Sequence, residues 1–167
     1  TTLDMLKEKF ESGSPVDTFI HQKLLSIFFV YLIVGGMPDA VKTYIETKDI
    51  REVDKVQRDI TTLYKEDFSQ YEQEDKKLKL KSIYDIMPAE LNKQNKKFVF
   101  TMLNKEMKFD RYKNSFLWLK DAGVALPVYN VDAPVVPLWA SKSSNVFRLF
   151  FSDLGLLTSA YPAETKI

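Results

Sequence analysis

From Asp17 to Val34 apolar side chains fall on nearly every side of a single helix: Phe19, Ile20, Leu24, Leu25, Ile27, Phe28, Phe29, Tyr31 and Leu32. A helix that is greasy all round has to be enclosed by other elements, so the rest of the chain is expected to fold around it. Its most apolar run, Ile27 to Val34, is eight residues long, whereas a membrane span needs about twenty. The run therefore reads as a buried helix rather than an anchor. Gly35-Gly36 ends it, since glycine takes the left-handed cap conformation without penalty. Pro38 then opens the next helix, at a position where its missing N–H is not needed.

The flanking segments divide into short helices. Leu3, Leu6 and Phe10 mark a first one, stopped by Ser12-Gly13-Ser14-Pro15. The Pro38 helix carries Ala40, Val41, Tyr44 and Ile45 on one side. Asp49 and Glu52 form a start resembling a capping box for a long helix to about Glu74. Its residues Ile50, Val53, Val56, Ile60, Leu63, Tyr64, Phe68 and Tyr71 recur at three- and four-residue steps. A fifth helix runs from about Lys76 to Met87 and ends near Pro88, followed by a short element, Ala89 to Asn95, and the patch Phe98-Val99-Phe100.

A compact helix over Asp110–Asp121 turns Phe109, Tyr112, Phe116 and Leu119 inward and stops before Gly123. After it the texture becomes β-like. Val124–Val131, Val135–Trp139 and Asn145–Phe151 read as short strands at a sheet edge, with Ser141-Lys142-Ser143-Ser144 as a turn. Helices followed by a β-hairpin is the order of a winged helix-turn-helix.

Composition removes several chemistries. With 45% hydrophobic and 28% charged residues the chain is neither disordered nor polytopic, and its size predicts roughly 8,500 Å² of exposed surface when compactly folded. The absence of cysteine removes disulfides, thiolate metal sites and cysteine nucleophiles. One histidine, His21, cannot build a zinc site or a Ser-His-Asp set, and reads as an ordinary surface or satisfied side chain. Glu66-Asp67 and Glu74-Asp75 read as solvated helix surface. No glycine loop of the Walker type occurs, and no metal site is expected. The chain lacks a signal-peptide pattern, and the expected location is the cytoplasm, without a membrane partner. Because it starts Thr-Thr-Leu, it is expected to be a piece of a longer protein or a processed one.

Charge is uneven. Residues 1–75 hold nine basic and fifteen acidic side chains, and residues 76–167 hold fifteen basic and eight acidic. The second half could face a polyanion or an acidic surface, or the two halves could simply attract one another.

Two ordered sets of residues carry a family resemblance. The first is Tyr31-Leu32…Gly35-Gly36-Met37-Pro38-Asp39-Ala40-Val41, followed by Gln57-Arg58-Asp59-Ile60…Tyr64…Asp67. The second includes Ile86-Met87-Pro88-Ala89-Glu90-Leu91, Asn95-Lys96-Lys97-Phe98, Trp118-Leu119-Lys120-Asp121-Ala122-Gly123, Pro137-Leu138 and Phe147-Arg148-Leu149…Asp153-Leu154-Gly155-Leu156-Leu157. Together they resemble the region after the motor core of a large prokaryotic family of AAA-type ATP-binding proteins with a C-terminal domain of unknown function. The resemblance implies a mainly α fold, in which a helical lid-like half (1–74) precedes a winged helix-turn-helix half (75–167) with a small β-hairpin. It implies a P-loop domain before this region and a nuclease-like domain after it, as partners in the same chain. ATP and Mg²⁺ are implied for the intact parent, which resembles an ATPase, and none for the fragment, which lacks the residues for hydrolysis. Gly35, Gly36, Met37 and Pro38 are then expected to lie near nucleotide.

The function expected on this basis is coupling of nucleotide state to a partner or following domain. One alternative is a nucleic-acid-binding winged helix. Arg111, Asn114, Ser115 and Trp118 would share a reading face, with Lys93, Lys96, Lys97, Lys105, Lys108 and Lys113 against phosphates; Trp118 on that face suits docking on protein better. A further alternative is a homo-oligomer scaffold built on the Asp49–Glu74 helix.

Overall fold

The computed structural model describes residues 1–70, 74–94, 98 and 112–162. The architecture is mainly helical with a C-terminal β-hairpin. In order it runs α1 (Thr2–Ser12), α2 (Thr18–Val34), α3 (Pro38–Thr47), α4 (Ile50–Gln70), α5 (Glu74–Asn92), α6 (Lys113–Asp121), β1 (Ala125–Val131), β2 (Lys142–Phe151) and α7 (Leu154–Ser159).

Local chemistry explains most of the boundaries. Thr1 and Asp4 form a reciprocal capping box at α1, and Gly13, left-handed at φ 65°, ends it. Asp17 caps α2 by accepting from the Phe19 and Ile20 N–H groups. Asp49 accepts from the Arg51 N–H at the start of α4 (2.8 Å). The expected reciprocal partner Glu52 instead pairs with Lys55 (2.6 Å), so this cap is one-sided. Gly123 is left-handed just beyond α6, as its position predicts.

Four sequence expectations are corrected. Helix α5 does not stop at Pro88 but runs through it to Asn92. Pro88 cannot donate to the Tyr84 carbonyl, and the surrounding packing of Met87, Glu90 and Leu91 carries the helix across the gap. The segment Val135–Trp139 is not a strand: it holds a cis Val136–Pro137 bond and leads into a short 3₁₀ turn, Leu138–Ser141. Two prolines within four residues remove the ladder donors a strand needs. The 132–141 segment is therefore the hairpin connection, and Lys142–Ser144 belong to β2 rather than to a turn. Finally, α2 is not enclosed. Of its residues only Val34 is buried, while Phe19 is 74% and Phe29 59% exposed. Its Phe28 ring lies 6.4 Å from both the Phe29 and Tyr31 rings, among groups that face outward. On the neighbouring helix Ile45 is exposed too, while Ala40, Val41 and Tyr44 pack inward.

Two cores result. The larger joins α4, α5, α6, the hairpin and α7 through aromatic contacts. Phe68 meets Tyr84 edge-on at 5.7 Å and Trp118 at 5.4 Å, and Tyr84 meets Phe151 at 5.2 Å. Such pairs add about 0.5–1.5 kcal/mol each beyond burial. The hairpin is antiparallel, pairing Ala125 with Phe151 and Tyr129 with Phe147, with a register shift between Tyr129 and Val131. Phe147, Leu149 and Phe151 alternate inward from it. Phe98 adds its N–H to the Phe147 carbonyl (2.9 Å). The smaller core is Val34, Ala40 and Val53, and Met37 packs against both cores. Among the described residues no helix is long and apolar enough to cross a membrane. The exposed area, 11512 Å², is well above the roughly 8,500 Å² of a compact chain of this mass, and the uncovered α1–α2 arm contributes to the excess.

Removing the hub of the large core by Phe68→Ala should lower unfolding free energy by about 3–5 kcal/mol, read as a shift of the urea midpoint. A second expectation concerns pH. Burial pushes the Tyr84 phenol up to about 12, while an unfolded tyrosine titrates near about 10. The folded chain holds this proton more tightly. The stability it contributes is complete below about pH 10 and is lost as pH rises through about 12. Tyr84→Phe should flatten that part of the stability–pH curve, measured by denaturation at stepped alkaline pH.

Candidate functional site

The Gly35-Gly36-Met37-Pro38 corner joins α2 to α3, and the structure shows what its glycines are for. Gly35 has φ 72° and ψ −158°, a region essentially restricted to glycine, rather than the left-handed helical cap the sequence suggests. Its space is taken by the second half of the chain. A Cβ there would collide with Asp153 Oδ1 and lie 2.7 Å from the Gly155 backbone nitrogen. Gly36 is exposed, and its N–H donates to Asp153 Oδ2 at 2.6 Å across 117 residues of sequence. Pro38 is exposed at the first position of α3.

Asp153 therefore does two jobs. One oxygen accepts from the Leu156 N–H (3.1 Å) and caps α7; the other holds the corner. The end of α2 is clamped from two more directions. Gln57, buried on α4 at 1% exposure, donates through Nε2 to the carbonyls of Ile33 and Val34, both at 2.9 Å. Thr158 Oγ1 on α7 donates to the Ile33 carbonyl at 3.0 Å. These are the carbonyls a helix C-terminus leaves without an intrahelical partner. Gly155 lets α7 come this close: a Cβ there would lie 2.5 Å from both Gln57 Nε2 and the Val34 oxygen.

Three separated segments, Gly35–Pro38, Gln57 and Asp153–Thr158, thus form one constellation. Sequence reasoning placed Gly35, Gly36, Met37 and Pro38 at a site but assigned no role to Gln57, Asp153, Gly155 or Thr158. The Asp-x-Gly spacing just past a strand, with a helix behind it, is the signal that could have found them. Chemically the corner offers Met37 and Pro38 as apolar surface beside the exposed Gly36 backbone. Gly35, Gly36, Met37 and Pro38 carry no charge themselves, and the adjoining Asp39 adds a negative one. Such a surface suits a flat, uncharged group rather than an anionic one.

The nucleic-acid expectation fares differently. Lys96, Lys97, Lys105, Lys108, Phe109 and Arg111 lie outside the described residues. Lys113 and Asn114 are exposed at the start of α6, and Lys93 pairs with the buried Glu90. Ser115 is buried and so does not belong to an exposed reading face, while Trp118 is half-buried with its ring edge-on against Phe68. Asp110 and Arg111 being outside the described residues, α6 is seen only from Lys113, with Tyr112, Phe116 and Leu119 turned inward as expected. His21, Glu66 and Asp67 are exposed. Among the described residues no three His, Cys, Asp or Glu side chains converge to hold a metal.

Gly155→Ala should destabilise the fold by about 1–3 kcal/mol through overpacking against Gln57 and the Val34 carbonyl. Gln57→Leu, which leaves the Val34 carbonyl buried without this donor, should cost about 1–3 kcal/mol. Urea denaturation followed by circular dichroism checks both, and a change within about 0.5 kcal/mol for both would mean the clamp carries no weight.

No curated protein and no solved structure matches this chain. A match to a family of proteins does exist, described as a domain of unknown function (DUF8612), over residues 26–166. It begins inside α2 and takes in the corner, Gln57, the hairpin and the Asp153–Thr158 segment, leaving α1 and the first half of α2 outside. Since the match covers most of the chain, the protein belongs to the DUF8612 family.

Proposed function

We propose that this chain is the lid and coupling segment of a cytoplasmic AAA-type ATP-binding protein. It has no reaction centre of its own, senses nucleotide at the Gly35–Pro38 corner, and passes that state to the hairpin-bearing half and a following nuclease-like domain. In this reading ATP and Mg²⁺ are held by a P-loop domain elsewhere in the intact protein. Gly36, Met37 and Pro38 lie against the adenine end, and Gly35 is the point on which the second half rests.

The observation that carries the reading is the Gly36–Asp153 hydrogen bond. It ties an exposed corner of the first half to the cap of α7, whose chain leads straight back into β2. A ligand shifts such an arrangement only through a difference in its affinity for two states. A hydrogen bond to a charged group is worth about 1.5–3 kcal/mol, a difference that contacts to an adenine can match. The exposed face of α2 supports the same reading. Phe19, Phe28, Phe29 and Tyr31 leave on the order of several hundred Å² of aromatic surface uncovered, as a helix would that packs against a neighbouring domain.

The test uses the intact protein with its nucleotide-binding domain. Gly36→Val meets only an ordinary contact, 3.5 Å from Asp153 Oδ2, and Pro38 is exposed, so both Gly36→Val and Pro38→Ala should fold. Each should weaken ATP-analogue binding about tenfold, or about 1.4 kcal/mol, read by fluorescence titration. Unchanged affinity in both variants would overturn the reading.

A further inference from the structure

Between α4, α5 and the end of α7 lies a cleft of about 770 Å³. That is within the roughly 300–1,000 Å³ range of small-molecule sites. It is formed by this chain alone, so it stands independently of the coupling role.

Its α4 wall is a polar stripe. Thr61 and Thr62 each lie three or four residues from both Arg58 and Lys65, which puts the four on a single helix face. Lys65 reaches across to Asp85 on α5 at 2.5 Å, and these two charges balance. Arg58 is held through Nε by Asp54 (2.8 Å), a bond that uses one of the five guanidinium donors. Each cation of the lining thus has a carboxylate beside it, and what Arg58 still offers the cleft is the remaining donors of its fork, the shape best suited to grip a single further carboxylate.

The remaining walls are mostly apolar or aromatic, with Asn92 and Ser159 as polar members. Phe151 and Leu156 line the cleft beside Tyr84 and Tyr161, and Tyr161 is fixed by donating its hydroxyl to the Pro88 carbonyl (3.1 Å). At the seam between α4 and α5, the Thr61 and Tyr84 hydroxyls are buried, neither with a hydrogen-bond partner among the described residues. Tyr84 itself is 3% exposed. Buried polar groups left unsatisfied are rare in folded proteins, and two at the wall of one cleft mark a place where the chain has not completed its own packing.

We propose that this cleft binds a small molecule carrying one carboxylate on an aromatic body, with the carboxylate at Arg58 and the ring between Tyr84, Phe151 and Tyr161. A dianionic phosphate would find too little positive charge, and a neutral ring would leave the Arg58 fork unused.

The probe is 3-phenylpropionate, titrated into isotope-labelled chain up to on the order of 10 mM and followed by amide NMR, with neutral 3-phenylpropanamide as the matched control. The expected result is saturable shifts at residues 58–65 and 84–92, binding of the amide at least tenfold weaker, and a tenfold loss for 3-phenylpropionate in Arg58→Gln. Asn92→Asp, which adds a negative charge at the exposed end of the same α5 wall, should weaken the carboxylate and leave the amide unchanged. It decides the matter if Arg58→Gln does not fold. Equal affinity for acid and amide, shifts confined to the aromatic face of α2, or no shift at all would overturn the proposal.

Discussion

A helix that ends inside a protein leaves its last carbonyls without intrahelical donors, and the end of α2 is such a place. The Ile33 and Val34 oxygens receive donors from α4 and α7 instead, through Gln57 and Thr158. Because those donors come from two different elements, the same bonds that satisfy α2 also fix where α4 and α7 lie. Burying a carbonyl without a partner is costly, so each of the three helices constrains the others more tightly than apolar contact alone would. The glycines follow from this closeness. Gly35 and Gly155 face one another across the junction because a side chain on either would occupy space already held by backbone or by Asp153.

Away from the clamp, packing is dominated by rings. Phe68 sits where α4, α5 and α6 meet, touching Tyr84 and Trp118 edge-on, and Tyr84 passes the contact to Phe151 at the end of the hairpin. Phe116 does the same for Phe98 and Phe147. The hairpin is therefore attached to the helices by aromatic edges, and its outer face, with Leu126 and Val128, stays exposed. Asp153 follows two residues after Phe151, so the large core and the clamp are joined by a very short stretch of chain.

Much of this was legible from residue order. The ends of α1, α2 and α6, the proline opening α3, the period of α4 and the inward face of α6 all follow from local chemistry that needs no knowledge of the fold. The misreadings share a cause. Pro88 and the Val135–Trp139 run were judged by local propensity, and tertiary packing overrode it in α5 while two prolines defeated it in the hairpin. The enclosure of α2 was inferred from its own composition, which shows that it needs a cover but not that this chain supplies one. Trp118 shares the helical spacing of Arg111 and Asn114, and its ring is half-buried edge-on to Phe68, a contact that spacing alone does not show. Gln57 was visible only as one letter in a motif. A buried amide that caps a distant helix leaves no periodic trace, because its partners are backbone carbonyls that every residue possesses.

The position of Met37 explains why the corner can matter beyond its own few contacts. It is the residue between the exposed Gly36 and Pro38, and its side chain packs against both the aromatic core and the small Val34–Ala40–Val53 core. A rotation of the backbone at this point cannot leave either core unchanged, since dense interiors respond to displacement by repacking rather than by continuous deformation. One neighbour in sequence is locked by Asp153, and the other begins a helix with its φ fixed by the proline ring. Motion there has few routes. The Gly36 N–H and the cap of α7 are held by the two oxygens of one carboxylate, so a displacement of the Asp153 side chain would be felt at both.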